Sequence, residues 1–141
     1  MRISKSMLFS MLLACNFTTA LYAQDSKLTV ELNKFEDTDA GNCSAFFLFR
    51  NNTGNSFAEF EMSLAILDKS GVIDRLLTVD ASPLPVARTT LKLFEIPDTK
   101  CAGISEILLH AIDACRPQNE EQMDCFAIIN LVSRTSAELV K

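Results

Sequence analysis

Few residues in this chain have the types and spacing that chemistry needs. His110 is the one histidine among 141 residues, and so the first candidate for a general base. A general base works only with a partner in hydrogen-bonding reach. Asp113 follows three residues later, and on an extended strand an odd separation puts the two side chains on opposite faces. Ser105 stands outside any nucleophile-elbow pattern. Asp37-Thr38-Asp39-Ala40-Gly41 spaces two carboxylates before a glycine, as a calcium loop does, but Leu48 occupies the twelfth position where a bidentate glutamate belongs. An acidic hairpin tip is the simpler account. Glu120, Glu121 and Asp124 gather in a polar loop, which is either a contact surface or a solvated loop. Neither a catalytic residue nor a cofactor nor a metal ligand is expected, and the chain does not read as an enzyme.

Cysteine is the one reactive type present in number. Cys43, Cys101, Cys115 and Cys125 form no Cys-x-x-Cys pair and have one histidine for company, which argues against zinc and against a redox motif. An even count in an exported domain implies two disulfides. Export itself is read from the N-terminus. Arg2 and Lys5 precede the apolar run Met7 to Ala14, and small residues lead to Ala23. That is a signal peptide over 1–23, with Gln24 as the new start of a single domain over 24–141. The apolar run is too short to span a bilayer. Leu12-Leu13-Ala14-Cys15 also resembles a bacterial lipobox, whose cysteine would be lipidated. On that alternative the protein is a lipoprotein held at a membrane through Cys15.

Removing residues 1–23 takes the basic count from 13 to 11 and leaves 18 acidic residues, so the net charge becomes 11 − 18 = −7. That sign argues against nucleic acid and against electrostatic binding to anionic lipid. Tyr22 leaves with the signal and there is no Trp, so interface or sugar platforms built on those rings are not expected. Eight Phe stay. Phe47, Phe49, Phe60 and Phe94 are the expected core, and Phe57 and Phe126 lie near strand ends, where the sequence leaves exposure open. Asn42-Cys43-Ser44 and Asn51-Asn52-Thr53 match the glycosylation pattern, normally unmodified in a bacterial periplasm.

The elements that must position these residues are strands. Phe60, Met62, Leu64 and Ile66 alternate with Glu61, Ser63 and Ala65, a period of two with one buried face. Asp68-Lys69-Ser70-Gly71 supplies a turn, and Val72 to Val79 runs back. A hairpin alone is marginal in water, so the rest of the chain must cover it. Strands are expected near 28–33, 43–49, 57–67, 72–80, 89–96, 106–114 and 125–133, with a helical turn at 102–105 and a tail over 135–141. Ala81-Ser82-Pro83-Leu84-Pro85 breaks the sheet. Seven short strands with frequent turns read as an all-β, immunoglobulin-like antiparallel sandwich. In that topology the second and sixth strands run the same way in opposing sheets, which sets Cys43 beside Cys101. The sixth and seventh strands as antiparallel neighbours set Cys115 beside Cys125. The other pairings need cysteines at opposite ends of strands.

The runs KLTVELNKFEDTDAGNCSAFFLFRN, LAILDKSGVIDRLLTVDASPLP and LKLFEIPDTKC resemble a family of small alphaproteobacterial proteins labelled "Tat pathway signal" proteins, which have no assigned activity. The resemblance spans nearly the whole expected mature chain. It implies a periplasmic protein of a Gram-negative bacterium, and no reaction. The N-terminus departs from the family name, having no Arg-Arg pair, and fits the general secretory route. The hairpin around Asp68 to Val72 is more loosely similar to FxLYD-type sandwich modules of bacterial envelopes.

Two functions follow as expectations. One is a non-catalytic periplasmic module that docks another envelope protein or adds a strand to it. The other is a small apolar-ligand carrier with a pocket between the sheets lined by Phe47, Met62 and Leu64. Intact-mass analysis of the exported protein is expected to give a chain starting at Gln24. A diacylated chain starting at Cys15 would instead establish the lipoprotein.

Overall fold

The structure, a computed structural model, describes residues 26–141. The expected signal peptide over 1–23, and Cys15 with it, lie outside the described residues. Eight strands follow one another: β1 Leu28–Asp37, β2 Cys43–Asn51, β3 Phe57–Asp68, β4 Ile73–Asp80, β5 Arg88–Ile96, β6 Ile104–Pro117, β7 Ile129–Ser133 and β8 Glu138–Val140. They form two four-stranded sheets, ordered β5-β2-β1-β7 and β4-β3-β6-β8. The expected all-β, immunoglobulin-like sandwich is the fold.

Alternation places the core. Val30 and Leu32 of β1, Phe47 and Phe49 of β2, and Phe60, Met62 and Leu64 of β3 all point between the sheets and are buried. Five phenylalanine rings run through this layer. Phe94 meets Phe47 at 5.8 Å between centroids, Phe47 meets Phe49 at 6.3 Å, Phe49 meets Phe60 at 6.1 Å, and Phe60 meets Phe57 at 6.3 Å. The Phe49–Phe60 contact is edge-on and joins the two sheets. Such a pair adds about 0.5–1.5 kcal/mol beyond the area it buries. Phe57, left open by the sequence, is buried, because residues 81–85 fold back beside it and pair Phe57 with Leu84. Phe126 is half-buried, with the Lys141 ammonium 5.3 Å over its ring.

The disulfides tie the two poles. Cys43–Cys101 closes the pole where β2 begins and β6 begins, with Cα atoms 4.9 Å apart. Cys115–Cys125 closes the opposite pole, with Cα atoms 6.1 Å apart. The pairing is the expected one, but for the second bridge the reason differs. β7 begins at Ile129 rather than 125, and it lies parallel to β1 in the other sheet, not beside β6. Cys125 therefore sits in the crossing between sheets, just before a 3₁₀ turn at Phe126–Ile128. On the chain-entropy model closures of 58 and 10 residues contribute roughly 4 and 3 kcal/mol. The expected tail also holds structure, since Glu138–Val140 pairs in parallel with β6.

Each lateral side of the sandwich is bounded by two edge strands that follow one another in the chain, β7 and β8 on one side and β4 and β5 on the other. Between β7 and β8 the Ser133 hydroxyl donates to the Ala137 carbonyl at 2.6 Å, and Lys141 Nζ donates to the Ile129 carbonyl at 2.7 Å. On the other side the edges are β4 and β5. Two inward-leaning cations cross the gap between them. Lys92 Nζ donates to the Ser82 carbonyl at 2.8 Å, and Arg75 donates to the Pro97 carbonyl.

Glu31 is a charge on the outer face of central strand β1, yet its side chain is only 3 % exposed. Arg50 donates to Oε2 at 2.6 Å, Asn33 donates to Oε1 at 2.7 Å, and Arg134 stands 3.8 Å away. Hydrogen bonds from Arg50 and then Asn33 outweigh desolvation and hold the carboxyl below the ordinary glutamate range. A depressed folded pKa stabilises the fold above the unfolded value of about 4.3, and that contribution disappears as pH falls through the lower folded value. Glu31→Gln is expected to cost about 1–3 kcal/mol in urea unfolding at neutral pH. The difference from the parent chain should shrink progressively as the pH falls below about 4.3.

Candidate functional site

Among the described residues the candidates for chemistry make no hydrogen bond or ion pair with one another. His110 is exposed on β6, and among the described residues it has no hydrogen-bond or ionic partner. Asp113 accepts the Ser63 hydroxyl on β3 at 2.5 Å. Ser105 is spent on backbone, donating to the Asp68 carbonyl. In the acidic tip, Asp37 Oδ1 accepts the Cys101 amide at 2.8 Å, and Gly41 at φ 85° completes the turn from β1 to β2. Among the described residues, no cluster of three or more His, Cys, Asp or Glu is arranged to hold a metal ion.

Both glycosylation-like motifs have structural duties. Asn42 donates to Glu95 at 3.0 Å and accepts the Asp98 amide at 3.1 Å. Asn51 is buried, and it organises the pole closed by Cys115–Cys125. Its Nδ2 donates to the carbonyls of Asn55, Leu84 and Pro85 at 2.7, 3.1 and 3.2 Å. Its Oδ1 accepts the amide and hydroxyl of Thr53 at 3.1 and 2.7 Å. Its backbone carbonyl accepts the amide of Ala87, which stands at φ 54°. A left-handed alanine costs about 1–3 kcal/mol and persists only where neighbours over-determine it. One side chain thus fixes two loops, 52–56 and 81–87.

Those loops and the start of the disulfide loop form a cleft of about 300 Å³, lined by Ser56, Phe57, Ala58, Pro83, Pro85 and Gln118. The Gln118 amide donates to the Ser56 carbonyl at 2.8 Å, and the Met123 amide donates to the Cys115 carbonyl at 2.9 Å. These bonds and the Cys115–Cys125 bridge give the acidic loop a fixed course beside the cleft. Glu120, Glu121, Met123 and Asp124 are exposed on it, and Asp124 Oδ1 accepts the Phe126 amide at 3.0 Å. Asp80, at the root of the 81–87 loop, is held below the ordinary carboxyl range chiefly by hydrogen bonds from Ser82. Prolines and Phe57 make the walls apolar, and Ser56 and Gln118 supply the polar rim. The arrangement can receive an apolar group and orient it; it offers no acid–base pair.

Sequence reasoning placed the acidic loop and its disulfide here but missed the cleft. The signal available was the Pro83-Leu84-Pro85 break, read as an interruption rather than as a wall. Phe47, Met62 and Leu64, expected to line a pocket between the sheets, belong instead to the packed core cluster.

No protein-family model matches the chain, and no curated protein matches it. The resemblance to the "Tat pathway signal" proteins therefore has no family match behind it. Among solved structures the fold is similar to that of IrmA from Escherichia coli, at a TM-score of 0.58 and 13 % identity, covering 74 % of this chain and 90 % of that one. At that identity the likeness concerns the fold, a β-sandwich found in a bacterial protein. Two disulfides are in keeping with an oxidising, non-cytoplasmic environment. Among the described residues no helix is long and apolar enough to cross a membrane.

Replacing Asn51 with Ala strands three carbonyls, and an expected loss of about 1–3 kcal/mol in unfolding free energy follows. Asn51→Asp keeps the shape but removes the donors, so it should be at least as damaging. Faster proteolytic nicking within 52–56 and 81–87 is the accompanying readout.

Proposed function

We propose that the chain is an exported, non-catalytic interaction module of a bacterial envelope, acting in the periplasm, which holds another envelope protein at its Cys115–Cys125 pole. The observation that carries this is the cleft lined by Phe57, Ala58, Pro83 and Pro85 beside a disulfide-closed loop. A cleft of about 300 Å³ lies at the small end of ligand sites, and suits one apolar side chain or the turn that carries it better than a whole lipid or drug-sized molecule. Its walls are fixed before binding by Asn51 and the bridge, which lowers the ordering cost of association. Exposed Met123 gives an adaptable apolar contact on the rim. The acidic residues of the loop favour a partner with a basic surface around the inserted group. Chemistry has no place in this reading, because the groups that would perform it are engaged elsewhere or isolated.

A photo-crosslinking residue placed at Gln118 in the exported chain is expected to give one discrete adduct in the periplasm. The same residue at Thr78, exposed on the outer face of β4, should give none. Ala58→Trp, which fills the cleft, should abolish the Gln118 adduct while leaving the melting temperature near that of the parent. Absence of a reproducible adduct at Gln118, or the same adduct at both positions, would overturn the proposal.

A further inference from the structure

Oxidants find few reactive side chains on this protein. The described residues hold no Trp and no Tyr, and their four cysteines are closed in two disulfides. That leaves two thioethers, Met62 and Met123. Met62 lies in the core at 0 % exposure, whereas Met123 is 40 % exposed on the loop closed by Cys115–Cys125. A methionine sulfur reacts where the reagent can reach it, so the fold shields one and offers the other.

The place of Met123 also decides what its oxidation does. The Met123 amide donates to the Cys115 carbonyl at 2.9 Å, and the next residue, Asp124, accepts the Phe126 amide at 3.0 Å. These bonds and the bridge fix the course of the loop without using the Met123 side chain. A sulfoxide can therefore form while the fold stands. The side chain itself changes from a flexible apolar arm to a polar group with a new hydrogen-bond acceptor. The rim of the cleft then loses its exposed apolar contact.

We infer that Met123 is a reversible oxidation site, and that its sulfoxide weakens the hold of the Cys115–Cys125 pole on its partner. The second half rests on the reading of the pole as a docking site; the first half does not. The reactant is a two-electron oxygen donor, hydrogen peroxide or hypochlorous acid. The sulfur lone pair attacks the electrophilic oxygen, and an S–O bond forms as the O–O or O–Cl bond breaks. Sulfur gives up two electrons, and the oxidant is reduced to water or to chloride and a proton. No free thiol among the described residues competes for the reagent, because both bridges are already formed. A methionine sulfoxide reductase reverses the step with two electrons and two protons, releasing the oxygen as water.

Brief treatment of the exported, disulfide-intact protein with dilute hypochlorous acid is expected to add one oxygen. Peptide mass analysis should place it on Met123, with Met62 untouched until the protein is unfolded, and the melting temperature should stay near that of the parent. Oxygen appearing first on Met62, or a melting transition lost once Met123 carries oxygen, overturns the inference. The photo-crosslinking residue at Gln118 reads the second half. In periplasmic extract its adduct should fall about threefold to tenfold after oxidation and recover after treatment with the reductase. Met123→Leu should keep its adduct through the same treatment, which separates the effect from damage to the partner. Met123→Gln should give the low yield with no oxidant at all. An adduct equally strong before and after oxidation of Met123 overturns the inference. No adduct even before oxidation counts against the pole reading instead, and the mass analysis still decides the oxidation site.

Discussion

The contact between Phe49 and Phe60 is the interaction on which the rest of the structure depends. It joins the second strand of one sheet to the central strand of the other, and Phe57, Phe47 and Phe94 extend it along the layer. Burying an aromatic side chain removes a large apolar area from water, at roughly 25 cal/mol per Å². That term is what brings two amphipathic sheets face to face. Once they meet, the strand ends are fixed in space, and Cys43 falls beside Cys101. The bridges limit how far the unfolded chain can expand; they do not choose the fold. Their positions at opposite poles mean that neither sheet can peel from the other at an end without straining sulfur.

A sandwich clamped in this way leaves three surfaces with different characters. The Cys43–Cys101 pole is finished by backbone turns and by Asp37 and Asn42, whose side chains are consumed in capping amides. The Cys115–Cys125 pole is held by a buried amide, and the loops around it enclose a cleft. The lateral edges share one connectivity, since the chain crosses between the sheets from β7 to β8 on one side and from β4 to β5, through residues 81–87, on the other. There Lys92 and Arg75 bridge the gap between the sheets with hydrogen bonds to carbonyls. A cation leaning inward from an edge strand also protects that edge, because a strand added outside it would cut the charge off from water.

Much of this was legible in the residues. Period-two alternation in Phe60 to Ile66 and in Leu28 to Leu32 gave the strands because each has one wet face. The Cys43–Cys101 pairing followed from strand direction, whereas Cys115–Cys125 was reached through a neighbour relation between the sixth and seventh strands that the fold does not have. What escaped had physical reasons. β8 is three residues long, too short to show a period. The parallel pairing of β7 with β1 is a matter of which sheet a strand joins, and two strands of equal polarity pattern fit either. The burial of Phe57 was left open because it lies near a strand end, and it is settled by a second loop that returns to pair with it at Leu84. Asn51 read only as part of a glycosylation-like motif, since nothing local distinguishes an asparagine that caps three carbonyls from one that faces water.

Glu31 shows where pattern reasoning ends and three-dimensional chemistry begins. Alternation correctly put it on the outer face, and an outer-face glutamate is expected to be solvated. Yet Arg50, on the paired strand, and Arg134, just after β7, converge on it from both sides. The carboxylate is almost wholly withdrawn from water without its charge being lost. Farther along the same face the Lys34 ammonium stands 5.2 Å over the Phe46 ring, so β1 lends β2 a cation there just as β2 lends Arg50 to Glu31 of β1.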